Sequence, residues 1–380
     1  MVNSNANALG IIFPNSYDSL VPELVAERLM ASIPFAGRYR MVDFVLSSMV
    51  NAGIDNISVI VRKNYHSLMD HLGSGREWDL TRKNGGLNIV PPLCGKNGEG
   101  LQRTCGGAGK HSGFSEGSEG KIRDYVQANL AANFDFKAML NAHIESGADV
   151  TLAYAQEEIP EGLIKPFDVN KDLYYTLDIE DGRVREIQIN PEEPGIQNLS
   201  LNIYIIEREL LISQISAAFV RGYVYFERDI LAPQLDKLNV HGYKFGGYIA
   251  RISSIKSYFD ENMKLLDEEN LDALFGGNHI YTKIRDDNPT RYIKGAKAKN
   301  IMAADGCIIE GEVENSVLFR GVRVGKGAKV KNCVLMQDTV IEPGVNVEYI
   351  ISDKNVTITA DKEIKGTDSF PVYVAKYQVV

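Results

Sequence analysis

The sequence has few cysteines and no excess of basic charge. It holds four cysteines among 380 residues, none of them in a Cys-x-x-Cys pair, which excludes zinc-ribbon and dithiol redox motifs and favours reduced thiols. The formal net charge is −9. Nucleic-acid and anionic-membrane surfaces need a basic face, so neither is expected here. A local basic pocket for a phosphorylated ligand is compatible with this balance.

Long apolar runs and targeting signals are also missing. Nowhere do about 18 apolar residues follow one another, the length that a membrane-spanning helix needs. The first residues, "MVNSNANA", lack the cationic and apolar parts of a signal peptide. The six histidines are scattered without metal-ligand spacing. We therefore expect a cytoplasmic chain with no membrane partner and no metal site.

Glycine is missing where a nucleotide-binding domain would need it. The run "LGIIF" reads as a first buried strand, and the turn from Phe13 to Ser19 is "FPNSYDS". Backbone N–H groups can curl around a pyrophosphate only where residues without a Cβ relieve the steric strain. This turn therefore does not predict a phosphate-cradling loop.

The remainder of the first two-thirds alternates between short apolar runs and helical patterns, with 44% hydrophobic and 24% charged residues in the chain as a whole. This alternation predicts an α/β domain with a mixed, mostly parallel sheet covered on both faces. The elements expected from periodicity are helices over 21–30 and 41–53, strands over 56–63, 147–155 and 182–189, a strand running into a helix over 201–215, and one final helix over 254–275.

A six-residue period begins near Lys297. Ile301, Cys307 and Val313 are spaced by six, and after a phase shift so are Val322, Ala328, Val334 and Val340. Such repeats of small aliphatic residues are typical of a parallel β-helix. The alternative is an irregular β-sandwich, which would alternate with period two. The pattern favours domains at 1–262 (α/β), 263–296 (helical linker) and 297–380 (β-helix).

The segment Gly95–Gly120 fits neither pattern. It carries nine glycines and no apolar run, and compact domains rarely hold about 25 structureless residues. The segment is either a long loop or the product of a local reading-frame error.

Three stretches together resemble bacterial ADP-glucose pyrophosphorylase, the glucose-1-phosphate adenylyltransferase family. They are "PFAGRYRMVDFVLSSMVNAGI", "LGSGREWDLTRKNGGLNIVPP" and "ADGCIIEGEVENSVLFRGVRVGKGA". The resemblance covers nearly the whole chain, and it is strongest to the divergent D-type subunit of Gram-positive bacteria. It implies a Rossmann-like nucleotidyltransferase domain followed by a left-handed parallel β-helix of hexapeptide repeats.

The family's reaction joins ATP and glucose 1-phosphate into ADP-glucose and pyrophosphate, and its functional positions are changed here. The resemblance implies a glycine-rich loop with an arginine where Phe13–Ser19 stands, and lysines where Met30 and Asn190 stand. It places one metal-binding Asp at Arg251 and another after the strand before "FDFKAML", where no Asp is found. A guanidinium at position 251 would repel Mg²⁺. We therefore expect no catalytic residues and no cofactor in this chain, with Mg²⁺ confined to a catalytic partner.

Three arginines are candidates for binding a phosphate or an anionic effector: Arg38, Arg40 and Arg62. Surface charges that frame a turn or follow a strand are the alternative for each.

Three functions are compatible with the sequence. The first is a catalytically silent or weak regulatory subunit that modulates a homologous catalytic adenylyltransferase subunit, in a heterotetramer. The second is an independent sugar-phosphate nucleotidyltransferase with a rearranged site. The third is a sensor of a sugar phosphate or nucleotide.

Overall fold

The computed structural model describes residues 8–15, 17–61, 63–83, 85–90, 122–127, 129–160, 163–164, 174–191, 195–223 and 225–380. The glycine-rich segment Gly95–Gly120 and the candidate Arg62 lie outside these residues, so both predictions stay untested. No helix in the described residues is long and apolar enough to cross a membrane.

A nine-stranded mixed sheet forms the centre of the first domain. Its order is β5-β4-β1-β6-β11-β8-β12-β10-β9, and two small ladders, β2 with β3 and β7 with β13, lie beside it. The strands are β1 (Ala8–Phe13), β2 (Pro34–Phe35), β3 (Tyr39–Arg40), β4 (Asn56–Ile60), β5 (Gly86–Val90), β6 (Ile122–Gln127), β7 (Leu130–Ala131), β8 (Val150–Glu158), β9 (Tyr175–Glu180), β10 (Arg183–Ile189), β11 (Ile196–Glu207), β12 (Val240–Lys244) and β13 (Ala250–Arg251).

The sheet is mixed, as the sequence predicts, but parallel pairs are not in the majority. Strands β5, β4, β1 and β6 pair in parallel, and so do β8 and β12. The long strand β11 runs antiparallel to both of its neighbours, and the hairpin of β9 and β10 joins the sheet antiparallel to β12. Parallel pairing needs a crossover connection, which the strand-helix-strand units of the first half provide and which the long connection from β8 to β12 also provides.

In the part of the chain that the structure describes, six α-helices cover the sheet and lead to the second domain. They are α1 (Met41–Asn51), α2 (His66–Leu72), α3 (Phe136–Ser146), α4 (Arg208–Arg221), α5 (Ile255–Lys264) and α6 (Glu268–Phe275). The prediction of one helix over 254–275 is wrong, because Asp267 begins a new helix by accepting hydrogen bonds from the backbone N–H groups of Glu269 and Asn270. The two helices are therefore separated by a turn.

The helix predicted over 21–30 is also wrong. Only turns and a short 3-10 helix at Met30–Ser32 occur there. Val21, Leu24 and Leu29 are nevertheless fully buried. Their spacing matches a helical stripe, but tertiary contacts bury them, and such contacts override local propensity.

The second domain is a parallel β-helix. Two parallel sheets contain its strands, which are β14 (Arg291–Tyr292), β15 (Lys297–Ala303), β16 (Ile308–Ile309), β17 (Glu312–Leu318), β18 (Arg323–Val324), β19 (Lys329–Lys331), β20 (Val334–Leu335), β21 (Val340–Ile341), β22 (Asn346–Glu348), β23 (Ile350–Ser352), β24 (Thr357–Ile358), β25 (Glu363–Lys365) and β26 (Val372–Val374). The first paired strand begins at Arg291, six residues before position 297.

The six-residue pattern identifies the interior of this domain. Cys307, Val313, Val322, Ala328 and Val334 are buried, while the first and last members of the pattern are partly exposed. Most stacked strands are 17 residues apart, as in the pairing of Val313 with Val330 and of Val330 with Val347. Most coils are thus one residue shorter than three complete hexapeptides. The phase shift falls where the stacked residues Ile308 and Arg323 are only 15 residues apart, three fewer than three complete hexapeptides.

The β-helix packs directly on the first domain. Phe319 and Met336 of the β-helix belong to the same buried cluster as Phe35, Phe44 and Tyr258 of the α/β domain. Tyr258 also donates a hydrogen bond of 2.8 Å to the carbonyl oxygen of Pro34. The two domains therefore share one apolar core at their boundary.

Candidate functional site

The turn after β1 satisfies its own hydrogen bonds. Tyr17 is buried in the left-handed region with φ of 64°. Asp18 accepts a 2.8 Å bond at Oδ1 from the backbone N–H of Met30 and a 3.0 Å bond at Oδ2 from the side-chain amide of Asn15. A carboxylate of the protein thus takes a backbone donor at the place where a nucleotide-binding turn offers donors to phosphate. The turn also adds negative charge, which disfavours an anionic ligand.

Met30 and Asn190 have structural roles in the described residues. Met30 is fully buried in the interdomain apolar cluster, so its side chain is not accessible to a ligand. Asn190 has φ of 48°, and its Oδ1 accepts a 2.9 Å bond from the backbone N–H of Tyr174. Asparagine tolerates this left-handed conformation and lysine does so less readily. Neither position supplies a cation for phosphate.

Arg251 lies in the second strand of the small β7–β13 ladder and is only 6% exposed. Its guanidinium forms an ion pair with the carboxylate of Glu157, at the end of β8. The ladder places Arg251 opposite Leu130, next to Asn129. Asn129 lies two positions beyond the last residue of β6 and is 1% exposed. It lies near the end of a strand, where the resemblance implies a metal-binding Asp. The sequence alone did not identify Asn129 as a candidate because it follows the glycine-rich segment so closely.

The carboxyl group of Glu227 is buried among aromatic hydroxyl groups. The hydroxyl group of Tyr204 is hydrogen-bonded to the carboxyl group of Glu227. The same hydroxyl oxygen lies 3.1 Å from Oδ1 of Asn202. The side-chain amide of Asn202 donates a 2.7 Å bond to the hydroxyl of Tyr17. Burial raises the pKa of Glu227. Together with Tyr175, whose hydroxyl bonds to Glu227, these groups form a closed polar network rather than an open binding surface.

A different site lies between the two domains, where a cavity of about 130 Å³ opens beside β3. Arg38 and Arg40 both line it, so the structure brings two of the three candidate arginines together. The remaining lining residues come from the α/β domain, the connecting segment and the β-helix: Pro34, Gly37, Tyr39, Asp70, His71, Lys283, Arg285, Phe319, Arg320, Gln337 and Lys354.

The cavity holds more cations than carboxylates. Lys283 pairs with Asp70 at 3.2 Å, and Arg285 pairs with Asp287 at 3.1 Å. In the described part of the chain, the other four cationic side chains of the lining form no ion pair with a carboxylate. They are Arg38, Arg40, Arg320 and Lys354. Arg38 is exposed and the other three are partly buried. Uncompensated cations brought together in this way favour the binding of an anion.

Hydrogen bonds position Arg40 and Arg38. Arg40 donates from Nη1 to the carbonyl oxygen of Ser67 at 2.6 Å and to its hydroxyl at 2.9 Å. Arg38 donates a 3.1 Å bond to the hydroxyl of Tyr39, and its guanidinium lies over that ring, 5.1 Å from the centroid. Both partners are neutral, so each arginine keeps its full charge.

Burial also changes the acidity of the cavity's cations. Burial, together with the neighbouring charges of Arg28 and Arg320, lowers the pKa of Arg40 to about 10. Burial, with Arg40 and Arg28 nearby, lowers the pKa of Lys354 to about 7. Arg40 therefore stays charged at neutral pH, whereas Lys354 is only partly protonated. A bound anion would offset the repulsion between the cations and favour the charged form of Lys354.

Sequence reasoning missed the contribution of the connecting segment and the β-helix to this cavity. Lys283, Arg320 and Lys354 are far from Arg40 in sequence, and only the interdomain packing brings them together. Arg320 and Lys354 do stand out as cationic side chains at corners of the coils, in "LFRG" and "SDKN". In the described residues, no group of three or more His, Cys, Asp or Glu side chains could hold a metal ion.

Comparison with known proteins identifies the family. Residues 23–268 match the family model of nucleotidyl transferases, and residues 285–370 match that of the GlmU-like C-terminal hexapeptide. The chain is 34% identical over 379 residues to "Glycogen biosynthesis protein GlgD" of Bacillus subtilis, covering 98% of this chain and 96% of the relative. It is 36% identical over 328 residues to the protein of the same name from Geobacillus stearothermophilus, covering 86% and 83%.

An adenylyltransferase is similar over almost the same span. "Glucose-1-phosphate adenylyltransferase" of Thermomicrobium roseum is 33% identical over 361 residues, covering 92% of this chain and 81% of the relative. The two matched domains follow each other in the order that the sequence predicts. The chain therefore belongs to the nucleotidyl transferase family of glucose-1-phosphate adenylyltransferases, with GlgD proteins among its near full-length relatives.

Proposed function

We propose that this chain is a regulatory subunit of glucose-1-phosphate adenylyltransferase in the biosynthesis of glycogen. It is catalytically silent or weak by itself, acts in the cytoplasm and modulates a homologous catalytic subunit within a heterotetramer. The names of the similar GlgD proteins support the assignment to glycogen biosynthesis.

The observation that carries the regulatory role is the cation-rich cavity between the domains. Its lining residues come from β3, from the segment before the β-helix and from three successive coils. A phosphorylated ligand bound to Arg40 and Lys354 would contact both domains at once. Such a ligand can shift the relative stability of domain arrangements, because it makes contacts in one arrangement that are absent in another.

Two features of the α/β domain, the turn after β1 and Arg251, support a catalytically silent role. The turn after β1 presents the Asp18 carboxylate in place of free donors. Arg251, where the resemblance implies a metal-binding Asp, is paired with Glu157. Loss of a single contact that stabilises the transition state costs about 10²–10³ in rate. Losses within one site are not additive, but here neither Met30 nor Asn190 supplies a cation and Arg251 supplies no metal ligand.

The test measures pyrophosphate release from ATP and glucose 1-phosphate. We expect no detectable turnover with the purified chain, and an altered maximal rate or apparent substrate affinity when it is mixed with its homologous catalytic chain. The Arg40→Gln variant should still form the mixed complex but lose the response of that complex to inorganic phosphate. Arg185→Gln, which removes an exposed arginine on β10, is the matched control and should behave as the unmodified chain.

The outcomes separate the three candidate functions. Robust turnover by the chain alone would establish an independent nucleotidyltransferase with a rearranged site. Binding of phosphate without any association with the catalytic chain would favour a sensor. Association without any kinetic effect would contradict a regulatory role.

A further inference from the structure

The positions of the family's metal ligands lie on neighbouring backbone segments. The carbonyl oxygen of Asn129 accepts a 3.2 Å bond from the N–H of Ile252, which follows Arg251. Arg251 is itself paired in register with Leu130. The resemblance implies Mg²⁺ held by two Asp side chains at this place in the adenylyltransferase family.

The donor set does not fit. Mg²⁺ requires oxygen ligands in near-octahedral geometry, usually including carboxylates. Arg251 provides only N–H donors and carries a positive charge. Asn129 provides one neutral amide oxygen. The nearby carboxylate of Glu157 is already neutralised by Arg251, so no free negative charge remains among these three side chains.

Two buried polar atoms support this conclusion. Oδ1 of Asn129 and Nε of Arg251 are both buried without a hydrogen-bond partner. An unsatisfied buried group costs about 1–3 kcal/mol, so this arrangement is not explained by a better hydrogen-bond network. An amide and a guanidinium at positions where the resemblance implies two carboxylates would leave such unsatisfied atoms.

We propose that the site formed by Asn129, Glu157 and Arg251 excludes divalent cations. Arg251, held by its ion pair with Glu157, is the fixed positive charge in their place. The backbone still presents positions 129 and 251 side by side, so restoring a carboxylate at both positions rebuilds a divalent-cation site. This inference rests on the proposed function, because it explains why the cleft is silent, and it concerns metal binding rather than turnover.

The charges at positions 129, 157 and 251 predict how the affinity for a divalent cation should differ among variants. Asn129→Asp alone leaves the Arg251 charge in place and should gain little affinity. Arg251→Asp alone frees Glu157 and adds a second carboxylate, so it should gain some affinity. In the double variant the carboxylates repel one another until a divalent cation neutralises them. The gain should therefore be largest in the double variant.

Titration with Mn²⁺, followed by the electron paramagnetic resonance signal of the free ion, tests this pattern. The double variant Asn129→Asp/Arg251→Asp should bind one Mn²⁺ at least about tenfold more tightly than the unmodified chain, since carboxylates replace an amide and a repelling cation. The control is Asn300→Asp/Arg185→Asp, which makes the same change in net charge at two exposed positions. It should match the unmodified chain.

Two results would overturn the inference. One is Mn²⁺ binding to the unmodified chain as tight as to the double variant, and the other is a folded double variant with no gain over its control. Should the double variant fail to fold, Asn129→Asp/Arg251→Asn provides the same comparison with less added charge. Because these titrations report no turnover, their failure leaves the subunit assay standing, and a failed subunit assay leaves the titrations unaffected.

Discussion

Arg28 of the α/β domain and Asp353 of the β-helix form a buried ion pair across the domain boundary, with Nη2 of Arg28 2.7 and 2.9 Å from the two carboxylate oxygens. The hydroxyl of Tyr373 and the backbone N–H of Lys354 complete the bonding of the same carboxylate at 2.7 and 2.6 Å. Asp353 is thus satisfied by groups from both domains. It also lies next to Lys354, which lines the interdomain cavity.

Removing one partner of this pair should be costly. We expect Arg28→Met to lower the free energy of unfolding by about 3–5 kcal/mol, because it leaves a buried carboxylate uncompensated. The double variant Arg28→Met/Asp353→Leu should recover much of that loss. Urea denaturation followed by circular dichroism measures both. Lys299→Met, which breaks the exposed pair with Glu314, should leave the free energy of unfolding nearly unchanged, because solvent screens exposed pairs. An equal loss for the two single variants would contradict this account.

Lys354 should make anion binding depend on pH. Burial lowers its pKa to about 7, the charges of Arg40, Arg28 and Lys376 act in the same direction, and Asp353 opposes them. The side chain therefore loses its proton as the pH rises through 7. Sulfate keeps its charge over this range and is the appropriate probe. We expect its affinity to fall about tenfold between pH 6 and pH 8.5 as one nearby positive charge is lost, measured by isothermal titration calorimetry.

The matched variants for this prediction are Lys354→Arg and Lys354→Met. The arginine stays protonated across the range, so sulfate affinity should become nearly independent of pH. The methionine carries no charge at any pH, so affinity should be low throughout. A steep pH dependence that persists in Lys354→Met would assign the effect to another group.

The β-helix could be predicted from sequence because its stabilising pattern is local and repeated. Cys307, Val322 and Ala328 each place a small side chain in the interior of one coil, and the six-residue spacing reports this directly. The segment 21–30 was mispredicted for the opposite reason. Val21 and Leu24 are buried in a cluster that includes residues more than 290 positions away, and no local pattern contains that information.

The residues of the candidate site likewise divide into those that the sequence indicates and those that only the folded structure brings together. Arg38 and Arg40 could be selected because they lie in a recognisable stretch of sequence, and Arg251 because its neighbours fix its position. Asn129 and Lys354 could not, since one follows an unpatterned segment and the other becomes part of the cavity only when the domains pack. Residues that function through tertiary proximity give little signal in a single sequence.

Glu227 should make stability depend on pH. The hydroxyl of Tyr204 has one proton but two neighbouring acceptors, Asn202 and Glu227. A protonated Glu227 resolves this conflict, because it donates to Tyr204 while Tyr204 donates to Asn202. Burial raises the pKa of Glu227 in the folded chain. Its contribution to stability is therefore complete below the unfolded pKa and is lost as the pH rises through the folded pKa.

Glu227→Gln tests this sign, because glutamine mimics the protonated acid at every pH. The variant should lose less stability than the unmodified chain between pH 5 and pH 8, measured by urea denaturation at several pH values. Glu209→Gln, at an exposed position of α4, should leave the pH profile unchanged. Parallel profiles for Glu227→Gln and the unmodified chain would show that Glu227 is ionised in the folded state.

The open end of the β-helix is the place where the proposed catalytic partner should dock. Phe370 and Val379 are 77% and 71% exposed there. In the described residues β25 and β26 are the outermost strands of their sheet, so each has one unpaired edge. The Lys297–Glu312 and Lys299–Glu314 pairs on another face are exposed and already matched in charge. An apolar end is therefore the better candidate for association than this charged face.

Deleting the whole β-helix would not test this, because Val317 and Phe319 belong to the core shared with the α/β domain. Phe370→Asp/Val379→Asp changes only exposed side chains. We expect this variant to keep its unfolding midpoint and to weaken the complex with the catalytic chain at least about tenfold, since buried aromatic anchors dominate such interfaces. Lys297→Asp/Lys299→Asp should bind the partner as before. Unchanged affinity of the Phe370→Asp/Val379→Asp variant in analytical ultracentrifugation would move the interface away from this end, because two carboxylates buried without partners could not be tolerated inside a tight contact.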